Sequence, residues 1–317
     1  MEKRQAYIDN AKAILIFLVV LGHVLNYANP QYSIRPYTYM QAFIASFHMP
    51  AFFLITGVLF KDEKWKERSW VDFLLSRVQS LLIPYLFFEL LAIAYLHFAL
   101  YNVTLAEGLY RMITFRCNVG ADWFLPAMFL ANTFYFVTVK YPNRYIWPVA
   151  AVACFLCTWI LPDGHWCQVL CRGLLGFGFI FLGNKTKKWL TMEKPAYGII
   201  SFFLTAVFAV LSLKFFSNDF YACVVENPIL FAASGLTGLY TVLSVSRLIH
   251  WSWVSTSGKN TLPIMGTHQL VLYTLPASSS PVWVFGMLIL ISAVEIIFVF
   301  VTNTICPGLI GKNRSRK

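Results

Sequence analysis

Charge is scarce in this chain. Only 12% of its 317 residues are Asp, Glu, Lys or Arg, against 58% that are hydrophobic, whereas a soluble domain carries about 25% charged residues. A soluble globule of this length could not hide so much apolar surface. Short polar–apolar alternation is also missing, which excludes a transmembrane β-barrel. No cleavable leader is expected: the first apolar run, Ala11 to Ala28, is too long for a signal sequence and no small-residue cleavage site follows it. Met1 to Asn10 therefore reads as a short cytoplasmic lead. Internal repeats, low-complexity tails and long linkers are lacking, so one compact membrane-embedded domain over 1–317 is expected. No HExxH string or clustered ligand set is present, so no metal is expected. Gly258-Lys259-Asn260-Thr261 lacks the spaced upstream glycine of a phosphate loop.

Cysteine gives little framework. There are seven, an odd number, and Cys154, Cys157, Cys167 and Cys171 lie in or beside apolar runs. Cys154 and Cys157 have CxxC spacing but no second ligand pair, so they read as small packed residues rather than a zinc site.

What the chain has is long apolar runs. A membrane helix needs about 20 such residues. Runs at about 11–28, 38–60, 79–100, 122–140, 145–161, 166–183, 195–214, 228–249, 261–275 and 283–305 predict an all-α, polytopic bundle of about ten transmembrane helices. The fifth and ninth are short. The net charge of +11 does not indicate nucleic acid, because the basic residues sit in short loops between spans. With the N-terminus inside, 20 of the 25 basic residues fall at inner ends and loops and four fall outside, at Arg35, Arg111, Arg116 and Lys214. That bias predicts both termini on the cytoplasmic side of a cell membrane. Ser69 followed by Asp72 predicts a helix cap ahead of the third span, and 101–121 reads as a partly helical outer segment.

Ionisable groups inside apolar runs are costly and need a partner or a purpose. His23, His48, Glu89, His97, Arg172, His268 and Glu295 form that set. Lys12 precedes His23 by eleven positions; at about 100° per residue both share one helix face, about 16 Å apart. A cation at the cytoplasmic edge and an imidazole at depth could line one cleft; a snorkelling lysine and a histidine bonded to a neighbouring helix are equally open. His48 stands two residues before Pro50, which predicts a disturbed helix and freed carbonyls beside the ring. The short loop between the first two spans allows His23 and His48 to be neighbours. Imidazole is suited to taking a proton from a hydroxyl near neutral pH, as acyl transfer requires, with donors for the oxyanion. Arg77 is either a positive-inside residue or an anion site. Arg172 binds an anion or pairs with Glu89 or Glu295. Trp123 reads as an interfacial tryptophan, with sugar stacking as the alternative, and His268 as a core or a catalytic histidine.

The strings together resemble the acyltransferase-3 family of membrane acyltransferases, in its fucose-4-O-acetylase-like branch. They are Tyr7-Ile8-Asp9-Asn10-Ala11-Lys12 with Leu21-Gly22-His23; Phe47-His48-Met49-Pro50-Ala51-Phe52-Phe53 with Thr56-Gly57; Arg77 leading to Pro84-Tyr85; Trp123-Phe124-Leu125-Pro126; Arg172 ahead of Phe181-Leu182-Gly183; and Gly258-Lys259-Asn260-Thr261-Leu262 leading to His268. They follow the family's order over most of the chain. The resemblance implies a ten-helix bundle taking acetyl from cytoplasmic acetyl-CoA, a co-substrate, to a hydroxyl of a cell-surface polysaccharide or lipid-linked glycan at a bacterial plasma membrane. It implies His23 as the essential histidine, His48 as its assistant, and Lys12, Arg77 and Arg172 as groups for CoA phosphates or developing charge. Trp123 and His268 join the substrate-binding set. The extra extracytoplasmic esterase-like domain of many relatives is not expected here. A transporter or flippase of a lipid-linked sugar is the second reading, since a histidine-containing cavity serves that role too; it would favour a repeated half, and none is visible. A non-catalytic scaffold or sensor is the third, and it predicts that His23 tolerates substitution.

Overall fold

The computed structural model describes residues 6–161 and 163–312. The terminal basic residues Lys3, Arg4, Arg314, Arg316 and Lys317, part of the expected inner set, lie outside the described residues. The architecture is helical. In chain order the helices are α1 (Ala6–Ala28), α2 (Arg35–Ala45), α3 (His48–Leu59), α4 (Asp62–Lys66), α5 (Trp70–Arg77), α6 (Ile83–Phe98), α7 (Leu105–Ile113), α8 (Phe124–Lys140), α9 (Ile146–Cys154), α10 (Cys157–Ile160), α11 (His165–Lys185), α12 (Lys187–Leu190), α13 (Pro195–Phe215), α14 (Pro228–Arg247), α15 (Ser252–Gly258), α16 (Thr261–Tyr273) and α17 (Pro281–Ile305). A wider π turn, Val78–Leu82, joins α5 to α6. The strands β1 (Asn218–Asp219) and β2 (Val224–Val225) form an antiparallel hairpin between α13 and α14, pairing Asn218 with Val225 and Asp219 with Val224.

Seven helical segments among the described residues are long and apolar enough to cross a membrane: Ala6–Ala28, Arg35–Leu59, Trp70–Phe98, His165–Lys185, Pro195–Phe215, Pro228–Arg247 and Pro281–Ile305. The other three expected spans are shorter. Phe124–Lys140 has 17 residues, α16 has 13, and the run at 145–161 is interrupted between α9 and α10. The lipid-facing character of α13 and α17 is direct: Phe203, Val207, Phe285, Ile296 and Phe300 are exposed, which in a membrane is contact with acyl chains rather than water.

The chain divides into two compact units. The first comprises 1–67 and 130–261, the second 68–129 and 262–317. In the first, α3 and α11 cross with their backbones nearly touching. A β-carbon on Gly57 would meet the Ile180 carbonyl oxygen at 2.0 Å, and one on Gly183 the Leu54 carbonyl oxygen at 2.2 Å. Small residues on both faces are the membrane solution to close helix association. Helix α14 packs on α1, α3 and α13, and Phe53, Phe179, Phe220 and Phe231 form an aromatic cluster around that crossing. In the second unit α5, the π turn and α6 run on from one another, and α7 lies against α6. The Ser69 cap is present, its hydroxyl accepting from the Asp72 amide at 3.0 Å. The helical stretch expected within 101–121 is α7, capped by Thr104.

Candidate functional site

The start of α1 is locked by one asparagine. The last carbonyls of a helix have no intrahelical donor. Asn10 supplies its amide NH2 to two carbonyls where α14 ends, Ser246 at 3.2 Å and Ile249 at 2.8 Å. Its own amide oxygen accepts from the Ser255 hydroxyl of α15 at 2.6 Å. Gly258 completes the seat, since a β-carbon there would stand 1.7 Å from the Asp9 carbonyl oxygen. Tyr7 lies under the Arg247 guanidinium, 4.8 Å from ring centre to Cζ, and Arg247 donates to the Thr191 carbonyl. Lys12, half-buried, sits two residues beyond Asn10 on this fixed segment. Helix α1 is unbroken through Ala28, so the shared face of Lys12 and His23 expected from spacing is preserved, about 16 Å apart along the axis.

The second expected span is divided between α2 and α3. Pro50 has no amide hydrogen and its ring collides with the carbonyl four residues back, that of Ser46. The helix therefore breaks at Ser46–Phe47, and Pro50 is accommodated in the first turn of α3. His48 is the first residue after the break. Its Nδ1 lies 2.8 Å from the Ile44 carbonyl oxygen. A carbonyl only accepts, so Nδ1 carries the hydrogen and the neutral ring presents its lone pair at Nε2. Helix α1 packs on both α2 and α3. The contact with α2 runs past the His23 turn: a β-carbon on Gly22 would lie 3.7 Å from Ile44 Cγ2. The neighbour of His23 and the anchor of His48 thus meet at one isoleucine.

Arg172 has different partners from those expected. Its Nε donates to the Tyr221 carbonyl at 2.8 Å, and its guanidinium lies over the Tyr221 ring at 4.3 Å. The two proposed acidic partners are engaged by other groups. Glu89 receives the Asn118 amide at 3.0 Å and the Asn118 side chain at 2.6 Å; Glu295 receives the Thr267 hydroxyl at 2.9 Å. Arg172 holds the β1–β2 hairpin to α11, assisted by Trp159, whose indole donates to the Val225 carbonyl at 2.7 Å.

Within the second unit, Arg77 ends α5 immediately before the π turn. It donates to the Ser76 hydroxyl and lies over the Phe73 ring. Pro84 explains the widened turn: it cannot donate to Ser80, so the ladder is re-spaced ahead of it. Tyr85, next in the string, donates its hydroxyl to the Met112 carbonyl at 2.7 Å. Trp123 is buried, 7% exposed. The loop before it is stitched down by polar groups: Glu89 takes Asn118, Asn118 donates to the Gly108 carbonyl at 3.0 Å, and Gln269 accepts from the Ala121 amide at 3.0 Å. Asp122, fully buried, lies beside Glu89. His268 is also fully buried and bonds the Ile264 carbonyl one turn back at 2.8 Å. Asn260 closes α15 by donating to the Thr256 carbonyl at 2.7 Å.

The structure thus gathers Lys12, His23 and His48 on packed helices of one unit, and Arg77, Trp123 and His268 in the other. Asn10, Asn118 and Gln269 are the supporting residues that sequence reasoning missed. Asn10 was detectable as a polar residue fixed between Asp9 and Lys12; Asn118 and Gln269 carried no local signal. The motif order, the broken helix at His48 and the seated start of α1 coincide with a match of residues 5–311 to the acyltransferase domain model of the acyltransferase-3 family. The chain belongs to that family. The nodulation protein NolL of Mesorhizobium japonicum is similar over part of its length, 30% identical over 155 residues, which is 47% of this chain and 40% of that protein. No solved structure matches.

Proposed function

We propose that this acyltransferase-3 family member moves an acetyl group from cytoplasmic acetyl-CoA to a hydroxyl of a cell-surface polysaccharide or lipid-linked glycan. The observation that carries the reading is the arrangement around α1. A cation near its cytoplasmic end and an imidazole at depth share one face of an unbroken helix whose start is locked by Asn10. His23 takes the acceptor hydroxyl's proton as it attacks the acetyl carbonyl. Coenzyme A leaves as the thiol, and the proton held by His23 balances the transfer. His48, with its lone pair fixed at Nε2, orients His23 or accepts a proton in turn. The amides of His48 and Met49, the first two of α3, supply donors suited to the developing oxyanion. Lys12 meets the phosphates of the donor at the cytoplasmic edge of the first unit, and Arg77 is assigned to anion binding within the second. Trp123 and His268 shape the substrate-binding region of the second unit from within. Arg172 is assigned to holding the outer hairpin rather than to the donor.

The test is acetyl-CoA binding and slow hydrolysis by detergent-purified protein. The reading predicts saturable binding with release of free thiol. Neither binding nor hydrolysis by folded protein would contradict it and leave a sugar transporter as the better account.

A further inference from the structure

Three of the seven cysteines converge at one end of α11. The Sγ atoms of Cys157, on α10, and Cys171, on α11, are 3.2 Å apart, and both residues are nearly inaccessible, at 5% and 2% exposure. A disulfide has its sulfurs about 2.05 Å apart, so these two thiols need only a small approach to bond. The third, Cys223, belongs to the hairpin turn between β1 and β2. It is held with a positive φ of 57°, an unusual conformation for a side chain with a β-carbon. There its thiol reaches the Gln168 carbonyl at 3.4 Å and contacts the Cys171 thiol. Cys223 is the more accessible of the three. The CxxC partner Cys154 takes no part in this cluster. Among the described residues no group of His, Cys, Asp or Glu is arranged to hold a metal ion.

The side of the membrane decides what such thiols do. The charge bias that puts the N-terminus inside places the end of α10, the start of α11 and the 216–227 hairpin outside. Outside a bacterial plasma membrane, neighbouring thiols persist as disulfides. We propose that Cys157 and Cys171 are oxidised to a disulfide on the outer side of the membrane, and that Cys223 is the thiol through which the oxidant acts. The oxidant is of the disulfide class. The Cys223 thiolate attacks one of its sulfurs, forming a mixed disulfide and releasing the other sulfur as a thiolate. Cys171 then attacks the Cys223 sulfur and expels the oxidant's second thiolate. Cys157 finally attacks Cys171, the Cys157–Cys171 bond forms, and Cys223 returns as a thiol. Two protein thiols are oxidised, one disulfide of the oxidant is reduced to a dithiol, and the two protons lost by the protein are taken up by it. The bond ties α10 to α11 beside the hairpin that Arg172 holds. The proposal goes beyond acyl transfer and rests on the inferred orientation, so it fails or stands independently of the transferase activity.

The experiment is cysteine counting in the full-length protein. Membranes are quenched in acid, dissolved in denaturant, and alkylated with a maleimide-polymer before or after reduction. Five of the seven cysteines are expected to react before reduction and all seven after it. A non-reduced digest is expected to yield a peptide pair joined through Cys157 and Cys171, which needs no variant. Cys171→Ser, normalised to its membrane abundance, is expected to leave no protected pair, whereas Cys223→Ser slows the appearance of the pair after a reductant is washed out. Seven reactive cysteines before reduction, or a protected pair that survives Cys171→Ser, would overturn the proposal.

Discussion

The Nδ1 of His48 lies 2.8 Å from the carbonyl oxygen of Ile44, and Ile44 is also the residue that Gly22, the neighbour of His23, packs against. One residue beside the helix break thus serves both histidines: its backbone carbonyl fixes the tautomer of His48, and its side chain lies at the turn that carries His23.

On the proposed mechanism His48 acts together with His23 rather than by packing alone. His48→Ala is expected to lower acetyl transfer by about 100-fold or more, the range for a positioned proton-transfer group, while acetyl-CoA binding changes little. Transfer rates and donor affinity measured on abundance-matched protein check this. A rate within twofold of the parent assigns His48 to helix packing alone.

Gly258 gives a steric prediction. A β-carbon at this position would stand 1.7 Å from the Asp9 carbonyl oxygen, so Gly258→Ala must push α15 away from the start of α1. Overpacking of this kind costs about 1–3 kcal/mol. It also strains the Asn10–Ser255 bond that helps seat Lys12. Reduced thermal stability in detergent together with a raised KM for acetyl-CoA is the expected outcome; unchanged stability would show that the two helices separate freely.

Asp62 gives a pH prediction. It lies in α4, between two spans, accepts from the Tyr135 hydroxyl at 3.2 Å and receives the Asn184 amide at 3.5 Å. Burial raises its carboxyl above the ordinary 3.8, opposed by the Tyr135 bond and by Lys185 and Lys187. A folded carboxyl with a raised value binds its proton more tightly than the unfolded chain does. Stability from this group is therefore full below pH 3.8 and falls as pH rises through the raised folded value. Asp62→Asn, which keeps an acceptor for Tyr135, is expected to be more stable than the parent at pH 7, with the difference shrinking toward pH 4. Melting temperatures at both pH values measure it, and a difference that grows toward pH 4 would contradict the sign.

Much of the fold was legible from the sequence because membrane helices announce themselves by long apolar runs. Two runs resolved less simply, each at a local break. Pro50 splits one run at Ser46–Phe47, and the 145–161 run is interrupted at Phe155–Leu156. At the site, the Lys12–His23 relationship followed from helical geometry, and the disturbed backbone at His48 followed from Pro50. The partners of Arg172 did not. An arginine in an apolar run suggested a carboxylate, yet it is satisfied by a carbonyl and a ring of Tyr221, 49 positions away. The burial of Trp123 was not legible for a similar reason: it depends on a loop fastened by Glu89 and Gln269, contacts separated by 29 and 148 positions in sequence. Periodicity shows which face a residue occupies on its own helix and is silent about which distant group meets it.

The central claim is that His23 is the base of an acetyl transfer. The direct measurement is incorporation of labelled acetyl from acetyl-CoA into cell glycans and lipids, in a host lacking other such enzymes, by the parent protein and by His23→Ala at matched membrane abundance. The account predicts incorporation by the parent and a loss of at least about 100-fold in the variant. Equal incorporation by both would contradict it.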